Sequence, residues 1–329
     1  MKVLCYSLKP FERPEMMRAN NNQHELIFTE QSLSLTTAAL AKGCKAVCIF
    51  TNDDASGQVL EALHELGIVY IATRSAGYNH IALSVAKKLQ MRVANVPSYS
   101  PNAVAEHAVA LLMALNRRLV ESQLLMQMQD FRLDALVGFN IHGKTVGVIG
   151  TGQIGFAFAK IMHGFGTRLL GFDPQPHPQA SSIGLAYVSL EELLRQSDII
   201  SIHCPLNEHT QYMIDEAQFA IMKQGAYLIN TARGGIIRTS ALIKHLASGK
   251  LGGACLDVYE REHGLFFHDH RHAILQDEAF IRLRSFPNVL ITGHQAFLTV
   301  EALRNIAQTT IDNLNAWEQQ GRSLNDLYD

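Results

Sequence analysis

Three closely spaced glycines follow an apolar segment near the middle of the chain. They are Gly150, Gly152 and Gly155, and Asp173 lies 18 residues beyond the last of them, at the end of a second apolar run. The first glycine permits a tight turn from a strand into a helix, the second lets the backbone approach a pyrophosphate, and the third lets helix and strand pack closely. A carboxylate such as that of Asp173 can bind ribose hydroxyls and repels a 2′-phosphate. The pattern predicts a dinucleotide-binding site that prefers NAD to NADP.

Ionisable side chains follow three later apolar runs: Arg233, one of Glu260 and Glu262, and His294. Because the carboxyl ends of parallel strands meet at one edge of a sheet, we expect these groups to converge. Beside a nicotinamide, a histidine cation can protonate the oxygen of a ketone that accepts a hydride, and a nearby carboxylate favours that cation. Arginine can bind a carboxylate through two nitrogens and polarise the adjacent carbonyl. The trio predicts chemistry on a small 2-keto acid or 2-hydroxy acid.

Spacing alone leaves ordinary alternatives open for each of these groups. A glycine-rich turn also joins strands to helices without a ligand, and an arginine after a strand is usually a solvated charge. Glu262 lies beside Glu260, Arg261 and His263, which are typical of a polar loop. A histidine in a loop is more often structural than catalytic.

The composition excludes several classes of partner. Of the 329 residues, 47% are apolar and 18% are charged, which is enough for a large core in one or two domains. The net charge of −2 argues against nucleic acid or an anionic membrane as the main partner. No apolar run approaches the roughly 18 residues of a membrane span, and the first ten residues do not have the apolar core of a signal peptide.

The cysteines and histidines indicate neither disulfides nor a metal centre. The five cysteines lie mostly in apolar runs, form no CxxC pair and are odd in number, which is typical of buried thiols in the cytoplasm. The histidine-rich segment 266–272 is predicted to be a surface loop with no fixed partner ligands. We therefore expect a cytoplasmic protein without a metal site.

The first hundred residues alternate short apolar runs with helical patterns. We predict strands at residues 3–6, 46–50, 69–72 and 92–96, with helices at 59–66 and 81–89. This alternation is typical of a parallel sheet covered by helices. Ser100 and Pro101 are a good helix cap and first residue, so a long helix is expected from there through Arg118 and toward Met128.

A second series of alternating elements follows the glycine motif. Strands are predicted at 145–149, 168–172, 199–203, 226–230, 253–257 and 289–291, and helices at 153–165, 190–195, 216–222 and 240–248. A last helix, at 301–319, is expected to return to the first series. We therefore expect an α/β protein in which residues 1–100 plus 299–329 form one domain, residues 101–298 form a doubly wound dinucleotide domain, and a cleft separates them.

Over essentially its whole length the chain resembles the D-isomer-specific 2-hydroxyacid dehydrogenases, and among them most closely the fermentative D-lactate dehydrogenases. Besides the glycine motif, the resemblance is carried by Cys-Ile-Phe-Thr-Asn-Asp-Asp at 48–54, Arg-Ser-Ala-Gly-Tyr-Asn at 74–79, Val-Pro-Ser-Tyr-Ser-Pro at 96–101, Val-Ala-Glu-His-Ala at 104–108, His-Cys-Pro-Leu at 203–206, Asn-Thr-Ala-Arg-Gly at 230–234, Asp-Val-Tyr-Glu-Arg-Glu at 257–262 and His-Gln-Ala-Phe-Leu-Thr at 294–299.

The resemblance implies two Rossmann-like domains, a flavodoxin-like substrate domain and a doubly wound NAD domain. It implies reversible NADH-dependent reduction of pyruvate to D-lactate, with His294 as proton donor, Glu262 rather than Glu260 as its partner, and Arg233 binding the substrate. Further substrate contacts would come from the backbone amides of Ala76 and Gly77 and from the side chains of Tyr99 and Phe297.

The resemblance also implies the cofactor contacts and an assembly. The cofactor contacts would be Gly150, Gly152, Gln153, Ile154, Gly155, Asp173, Cys204, Pro205, Thr210, Thr231, Ala232, Arg233, Asp257 and His294. A homodimer or homotetramer is expected, with the helical region 100–128 as a contact.

Two departures from the family pattern leave the reacting groups in place. The segment 79–82 reads Asn-His-Ile-Ala, without the acidic residue that many members carry there, and Gly293 replaces a proline that often precedes the histidine. Two other functions stay open: reduction of another 2-keto acid, such as hydroxypyruvate, phenylpyruvate or a branched-chain acid, and a non-catalytic scaffold that senses NAD.

Overall fold

The computed structural model describes residues 1–328, which divide into two compact units. The first unit is Met1–Ser100 together with the chain from Leu298, and the second unit is Pro101–Phe297. Each unit is built around its own parallel sheet. The division after Phe297 lies one residue before the domain boundary expected from the sequence.

The sheet of the first unit has the strand order β2-β1-β3-β4-β5. Its strands are β1 (Lys2–Cys5), β2 (Glu25–Phe28), β3 (Ala46–Ile49), β4 (Tyr70–Thr73) and β5 (Arg92–Ala94), and its first helices are α1 (Arg13–Asn20), α2 (Gly57–Glu65) and α3 (Leu83–Lys88). All neighbouring strands are parallel. This order is that of flavodoxin-like doubly wound sheets, whose sites lie at the carboxyl ends of the strands.

The last helix, α11 (Val300–Gln320), packs on one face of this first sheet. It begins at Thr299, whose side chain accepts a hydrogen bond from the Ala302 amide, and it ends at Gly321 with a φ of 71°. Near its end Trp317 is 1% exposed and stacks on Tyr70 of β4, with ring centroids 5.0 Å apart. Burial of so large an aromatic ring joins the end of the chain to the first hundred residues.

The sheet of the second unit has the strand order β12-β11-β10-β9-β6-β7-β8. Its strands are β6 (Thr145–Ile149), β7 (Arg168–Phe172), β8 (Ala186–Tyr187), β9 (Ile199–Ile202), β10 (Ala226–Asn230), β11 (Leu251–Leu256) and β12 (Val289–Ile291). Its helices are α4 (Pro101–Asn116), α5 (Leu119–Gln127), α6 (Gln153–Gly164), α7 (Leu190–Gln196), α8 (Glu216–Ile221), α9 (Thr239–Ala247) and α10 (Glu278–Arg284).

The strand order reverses between β6 and β9. The chain runs from β6 through β7 to β8 at one edge and then returns to place β9 on the other side of β6. Ligands of open α/β sheets bind at such a reversal, outside the carboxyl ends of the strands. Gly150 leaves β6 there with a φ of 85°, and a Cβ on it would lie 2.5 Å from the Cys204 amide that follows β9. Glycine is therefore required at the centre of the crevice.

The structure confirms the α/β class and the two doubly wound sheets, and β6, β7, β10 and β12 have the predicted bounds. The long helix expected from Ser100 and Pro101 ends at Asn116, two residues before Arg118, and the extension toward Met128 is a separate helix, α5. The buried Asn116 amide exchanges hydrogen bonds with the backbone of Phe139, and Arg118 then adopts a φ of 51° that separates α4 from α5. The sequence prediction also missed α1, β2, β8 and α10, which are short elements with weak apolar patterns.

The three motif glycines differ in how much space surrounds them, which predicts different effects on stability. A Cβ at Gly155 would lie 1.9 Å from the Gly150 carbonyl oxygen, whereas a Cβ at Gly152 meets no atom of the described chain within 4 Å. We expect Gly155→Ala to lower the free energy of unfolding by about 1–3 kcal/mol, as overpacking generally does. Gly152→Ala is the matched control, with a change of about 0.5 kcal/mol or less. Urea unfolding of both variants checks this, and equal stabilities would contradict it.

Candidate functional site

The start of α6 has the geometry of an anion-binding turn. Gly152 occupies the cap position and has no side chain that could cover the first turn of the helix. Helix N-termini present unsatisfied N–H groups and a partial positive charge. The empty space at Gly152 lets a phosphate approach the backbone closely. Gly150, Gly152, Gln153, Ile154 and Gly155 thus lie where the sequence predicted them, in a turn that fits a pyrophosphate.

Asp173 lies directly after β7, beside this turn. One carboxylate oxygen accepts a hydrogen bond from the Thr151 amide at 2.7 Å and the other from the Gln175 amide at 2.8 Å. Tyr187 of β8 stabilises the chain on either side of Asp173. Its hydroxyl lies 2.6 Å from Thr151 Oγ1 and accepts a hydrogen bond from the His177 amide. Asp173 is half-buried, and its oxygens keep lone pairs for ribose hydroxyls.

His203, Cys204 and Thr231, which directly follow β9 and β10, are uncharged and largely shielded from solvent. Burial raises the pKa of the Cys204 thiol to about 12 and lowers the pKa of the His203 imidazole to about 3, so both are neutral at physiological pH. Of the polar atoms in the described chain, His203 Nδ1 and Thr231 Oγ1 are among those that are buried without a hydrogen-bond partner. Such atoms cost free energy unless a ligand satisfies them, which fits a polar cofactor at this edge. Thr210 donates to the Pro205 carbonyl at 2.6 Å and closes the loop between them.

Arg233 lies in a turn that Asn230 holds in place. The Asn230 side chain, 1% exposed at the end of β10, donates to the Arg233 carbonyl at 2.9 Å and accepts from the Ala232 amide at 3.0 Å. The Arg233 guanidinium donates to the Ala232 carbonyl at 2.7 Å. Among the residues that the structure describes, no carboxylate forms an ion pair with it. Its charge is therefore available to an anionic ligand.

The turn with Arg233 packs against the loop that carries Glu262. A Cβ on Gly234 would lie 2.0 Å from the Tyr259 carbonyl carbon and 2.4 Å from the Glu260 amide. The two backbones thus touch at a position where glycine alone fits. The strand ends of β10 and β11 are thereby brought together as the sequence predicted.

Glu262 and His294 form a hydrogen-bonded pair. His294 Nδ1 lies 2.7 Å from Glu262 Oε1, and the other carboxylate oxygen accepts from the Tyr259 amide at 3.1 Å. Both side chains are largely buried, with 17% and 13% exposure for Glu262 and His294. A carboxylate accepts only, so Nδ1 carries a proton and Nε2 is the nitrogen left to exchange a proton with a ligand.

Asp257 holds the loop that carries His294. Its carboxylate, 0% exposed at the end of β11, accepts from the Thr292 hydroxyl at 2.5 Å and from the amides of Gln295 and Ala296 at 2.9 and 2.8 Å. Its carbonyl accepts from the His294 amide at 2.7 Å. These bonds hold His294 at a φ of 54°, in the left-handed region that side chains rarely occupy.

The same bonds keep Asp257 ionised. Burial by itself raises the pKa of this carboxyl, but hydrogen bonds from His107, Thr292 and the two loop amides outweigh burial and lower it. His107 belongs to α4, and its Nε2 lies 3.1 Å from Thr292 Oγ1. Asp257, which the resemblance implies is a cofactor contact, therefore also positions the histidine loop.

Glu260, the alternative carboxylate, is engaged elsewhere. It accepts hydrogen bonds from the Tyr212 hydroxyl and from the Thr239 amide, both at 2.9 Å. These contacts hold it to the start of α9. Glu262 rather than Glu260 therefore meets the imidazole.

The remaining predicted residues are Ala76, Gly77 and Tyr99 in the first unit and Phe297 at the end of the second. The carbonyls of Ala76 and Gly77 accept from the side chains of Asn95 and Ser75, each at 2.7 Å. Within the described chain the amides of Ala76 and Gly77 donate to no protein atom. Tyr99 is half-buried and its carbonyl accepts from Asn305, while Phe297 is buried. The loop at 76–77 thus offers two adjacent N–H donors.

Asn230 is a positioning residue that the sequence analysis missed. A signal was present, because asparagine at a strand end commonly forms side-chain bonds to its own turn. Among residues 1–328 no group of three His, Cys, Asp or Glu side chains is arranged to hold a metal ion. Nor is any helix among the described residues long and apolar enough to cross a membrane.

The geometry is that of a known family. The family model described as D-isomer specific 2-hydroxyacid dehydrogenase, NAD binding domain, matches residues 109–296. The chain belongs to the D-isomer-specific 2-hydroxyacid dehydrogenases. It is 46% identical to D-lactate dehydrogenase of Escherichia coli over 99% of this chain and 100% of that relative.

Solved structures agree with this assignment. The structure of the pyruvate reductase of Chlamydomonas reinhardtii superimposes with a TM-score of 0.92 at 40% identity, over 98% of each chain. D-lactate dehydrogenase from Aquifex aeolicus, solved with NAD and lactic acid, gives a TM-score of 0.88 at 31% identity, again over 98% of each chain. The predictions of family, enzyme class and NAD as cofactor are confirmed: this 2-hydroxyacid dehydrogenase is an NAD-dependent oxidoreductase.

The position of Asp173 predicts how the dehydrogenase distinguishes its cofactors. Asp173→Asn keeps an acceptor oxygen for the ribose but removes the charge that repels a 2′-phosphate. We expect the ratio of kcat/KM for NADPH to that for NADH to rise about tenfold or more, the effect of a charge repulsion of roughly 1–2 kcal/mol. Asp269→Asn, an exposed carboxylate in another loop, is the control with the same change in net charge. An unchanged ratio in Asp173→Asn would place the preference elsewhere.

Proposed function

We propose that the protein catalyses the reversible NADH-dependent reduction of pyruvate to D-lactate. The observation that carries the proposal is the 2.7 Å hydrogen bond between Glu262 and His294, in a loop packed against the turn of Arg233. A related protein with 46% identity is named D-lactate dehydrogenase, and a similar structure is that of a pyruvate reductase. Both names favour pyruvate over larger 2-keto acids.

Arg233 binds and polarises the substrate. Its guanidinium has no carboxylate partner within residues 1–328, so it is available to the carboxylate and the carbonyl oxygen of a 2-keto acid. NADH, when bound, supplies the hydride that adds to the carbonyl carbon. As hydride adds, negative charge develops on the carbonyl oxygen, and the fixed positive charge of Arg233 stabilises it.

His294 then supplies the proton. Its Nε2–H donates to the developing alkoxide, which becomes the hydroxyl of the product, while Glu262 stabilises the imidazolium from which the proton leaves. Overall one hydride and one proton are added to the carbonyl. In the reverse direction neutral His294 would accept the hydroxyl proton at Nε2, and bound NAD would serve as the hydride acceptor.

The other residues predicted from the sequence have supporting roles in this proposal. The amides of Ala76 and Gly77 bind the substrate carboxylate, Tyr99 lies near the substrate, and Phe297 limits the space at its methyl group. Residues 1–100 plus 299–329 form the substrate domain, and residues 101–298 form the NAD domain. Cofactor contacts come from Gly150, Gly152, Gln153, Ile154, Gly155, Asp173, Cys204, Pro205, Thr210, Thr231, Ala232, Arg233, Asp257 and His294.

We also infer that the protein is a homo-oligomer in the cytoplasm that uses the surface around α5. Apolar side chains from α5 to residue 137 are at least half exposed: Leu119, Val120, Leu124, Met126, Met128, Phe131, Leu133 and Val137. Monomeric proteins rarely expose so continuous an apolar surface. A second copy of the chain is the expected occupant, because homo-oligomers bury such surfaces symmetrically.

The proposal is tested by replacing His294. His294→Ala should lower kcat for pyruvate reduction about 10²–10⁴-fold, the usual contribution of a general acid. NADH binding, measured by fluorescence, should change little. His272→Ala, at an exposed position of the same unit, is the control. Wild-type turnover of pyruvate at a rate far below that of hydroxypyruvate, phenylpyruvate or a branched-chain keto acid would reassign the substrate, and near-normal turnover by His294→Ala would reject the proton-donor role.

The pairing of Glu262 with His294 predicts a pH dependence of opposite sign in the two directions. Pyruvate reduction should fall as pH rises, because His294 must hold a proton, and D-lactate oxidation should fall as pH drops. Glu262→Gln removes the charge that stabilises the imidazolium, so pyruvate reduction should fall about tenfold at neutral pH.

The matched control for this prediction is Glu260→Gln, two residues away in the same loop. Glu260 contacts Tyr212 and Thr239 rather than the imidazole. The Glu260→Gln variant should therefore reduce pyruvate at a rate within about twofold of wild type, with an unchanged pH profile. Rates of both reactions measured from pH 5 to 9 decide between the two carboxylates. The assignment of Glu262 fails if the two variants behave alike.

A further inference from the structure

The loop after β3, residues 51–54, is held rigidly by Asp53. This carboxylate is 2% exposed and accepts hydrogen bonds from the Phe50 amide at 2.6 Å, the Leu33 amide at 2.8 Å and the Ser7 hydroxyl at 2.6 Å. The Asp54 amide donates in turn to the Leu33 carbonyl. The loop therefore has a defined shape without any ligand.

Within this rigid loop the Asn52 amide is unsatisfied. Among the residues that the structure describes, Asn52 Nδ2 is one of the side-chain atoms that are shielded from solvent and have no hydrogen-bond partner. A shielded donor without a partner destabilises the folded state. Such atoms are uncommon in native proteins and call for an explanation, such as a ligand.

The strand order places the loop of Asn52 and the loop of Ala76 and Gly77 at the ends of neighbouring strands. Strands β3 and β4 are parallel neighbours, and Ile49 lies opposite Thr73. The Arg74 amide continues this pairing by donating to the Ile49 carbonyl at 2.9 Å. Asn52 follows β3 and Ala76 follows β4, so both lie in loops at the carboxyl edge of the first sheet.

The donors at this edge share one chemical character. The amides of Ala76 and Gly77 donate to no atom of the described chain. The Ala76 carbonyl accepts a hydrogen bond from Asn95, and the Gly77 carbonyl accepts one from Ser75. The nearby Arg74 is buried and engaged by Glu12 at 2.9 Å. The edge thus offers neutral N–H groups, which suit a small anion such as a carboxylate.

We propose that the side-chain amide of Asn52 binds the carboxylate of the 2-keto acid substrate, as a third donor beside the amides of Ala76 and Gly77. This inference rests on the proposed function and adds a substrate-binding residue to it. Asn52 contributes binding and orientation rather than proton transfer. Its loss should therefore raise KM more than it lowers kcat.

The test replaces Asn52 by leucine, which has a similar shape and no donor. Asn52→Leu should raise KM for pyruvate about 10- to 100-fold, the usual effect of losing a hydrogen bond to a charged group. Binding of oxamate, an unreactive isostere of pyruvate, to the NADH-loaded protein should weaken by the same factor in titration calorimetry. The affinity for NADH itself should not change.

Stability distinguishes binding from a structural role. Because Asn52→Leu removes an unsatisfied donor, its urea midpoint should equal or exceed that of wild type. Thr51→Val is the matched control, since it removes a polar group from the adjacent position of the same loop and should leave KM unchanged. If Asn52→Leu does not fold, Asn52→Ser provides the same comparison with a smaller change.

The outcomes separate this inference from the proposed function. A raised KM, weaker oxamate binding and undiminished stability in Asn52→Leu alone would support the role of Asn52. An unchanged KM, a lower urea midpoint without a change in oxamate binding, or equal effects in Thr51→Val would overturn it. Absence of 2-keto acid reduction by the wild-type protein would instead overturn the proposed function, and oxamate binding would still test Asn52.

Discussion

The candidate site in the second unit depends on the hydrogen bonds of one buried carboxylate, that of Asp257. It ends β11 and binds the loop after β12 through the Thr292 hydroxyl and two successive amides, so it ties two neighbouring strand ends together. A charge at 0% exposure is tolerated because each of these donors stabilises it. The strain of His294 at a positive φ is held by the same bonds, and the imidazole is thereby turned toward Glu262.

Some charged side chains at this edge of the sheet are paired with protein groups, and others are left available to a ligand. Glu262 is paired with His294 and Glu260 with the start of α9, while Arg233 keeps its charge without a carboxylate partner in the described chain. Cys204 and His203, beside the glycine turn, are held neutral by burial. A ketone that gains negative charge on its oxygen is stabilised by a nearby cation and by a proton donor. The neutral side chains beside them add no further charge to the site. The proposed reaction uses both: Arg233 as the unpaired cation and His294, paired with Glu262, as the proton donor.

Much of the fold and several candidate site residues were predictable because their signals are local. Gly150, Gly152 and Gly155 are adjacent in the chain, and short apolar runs gave the exact bounds of β6, β7, β10 and β12. Elements without such a signal were missed: β2 is a four-residue edge strand that is half exposed, and β8 has two residues. The break between α4 and α5 depends on Asn116 meeting Phe139, 23 residues away, which no helical pattern reveals.

The sequence by itself determined the α/β class, the dinucleotide turn and the residue types available for chemistry, since these follow from neighbouring residues and from apolar periodicity. It could not decide between Glu260 and Glu262 by spacing, and only the resemblance chose between them. The tertiary structure placed Glu262 on the imidazole because Gly234 lets two loops touch and because Asp257 orients the histidine loop. Contacts between strand ends far apart in the chain depend on how the sheet is ordered, and that order exists only once the chain has folded.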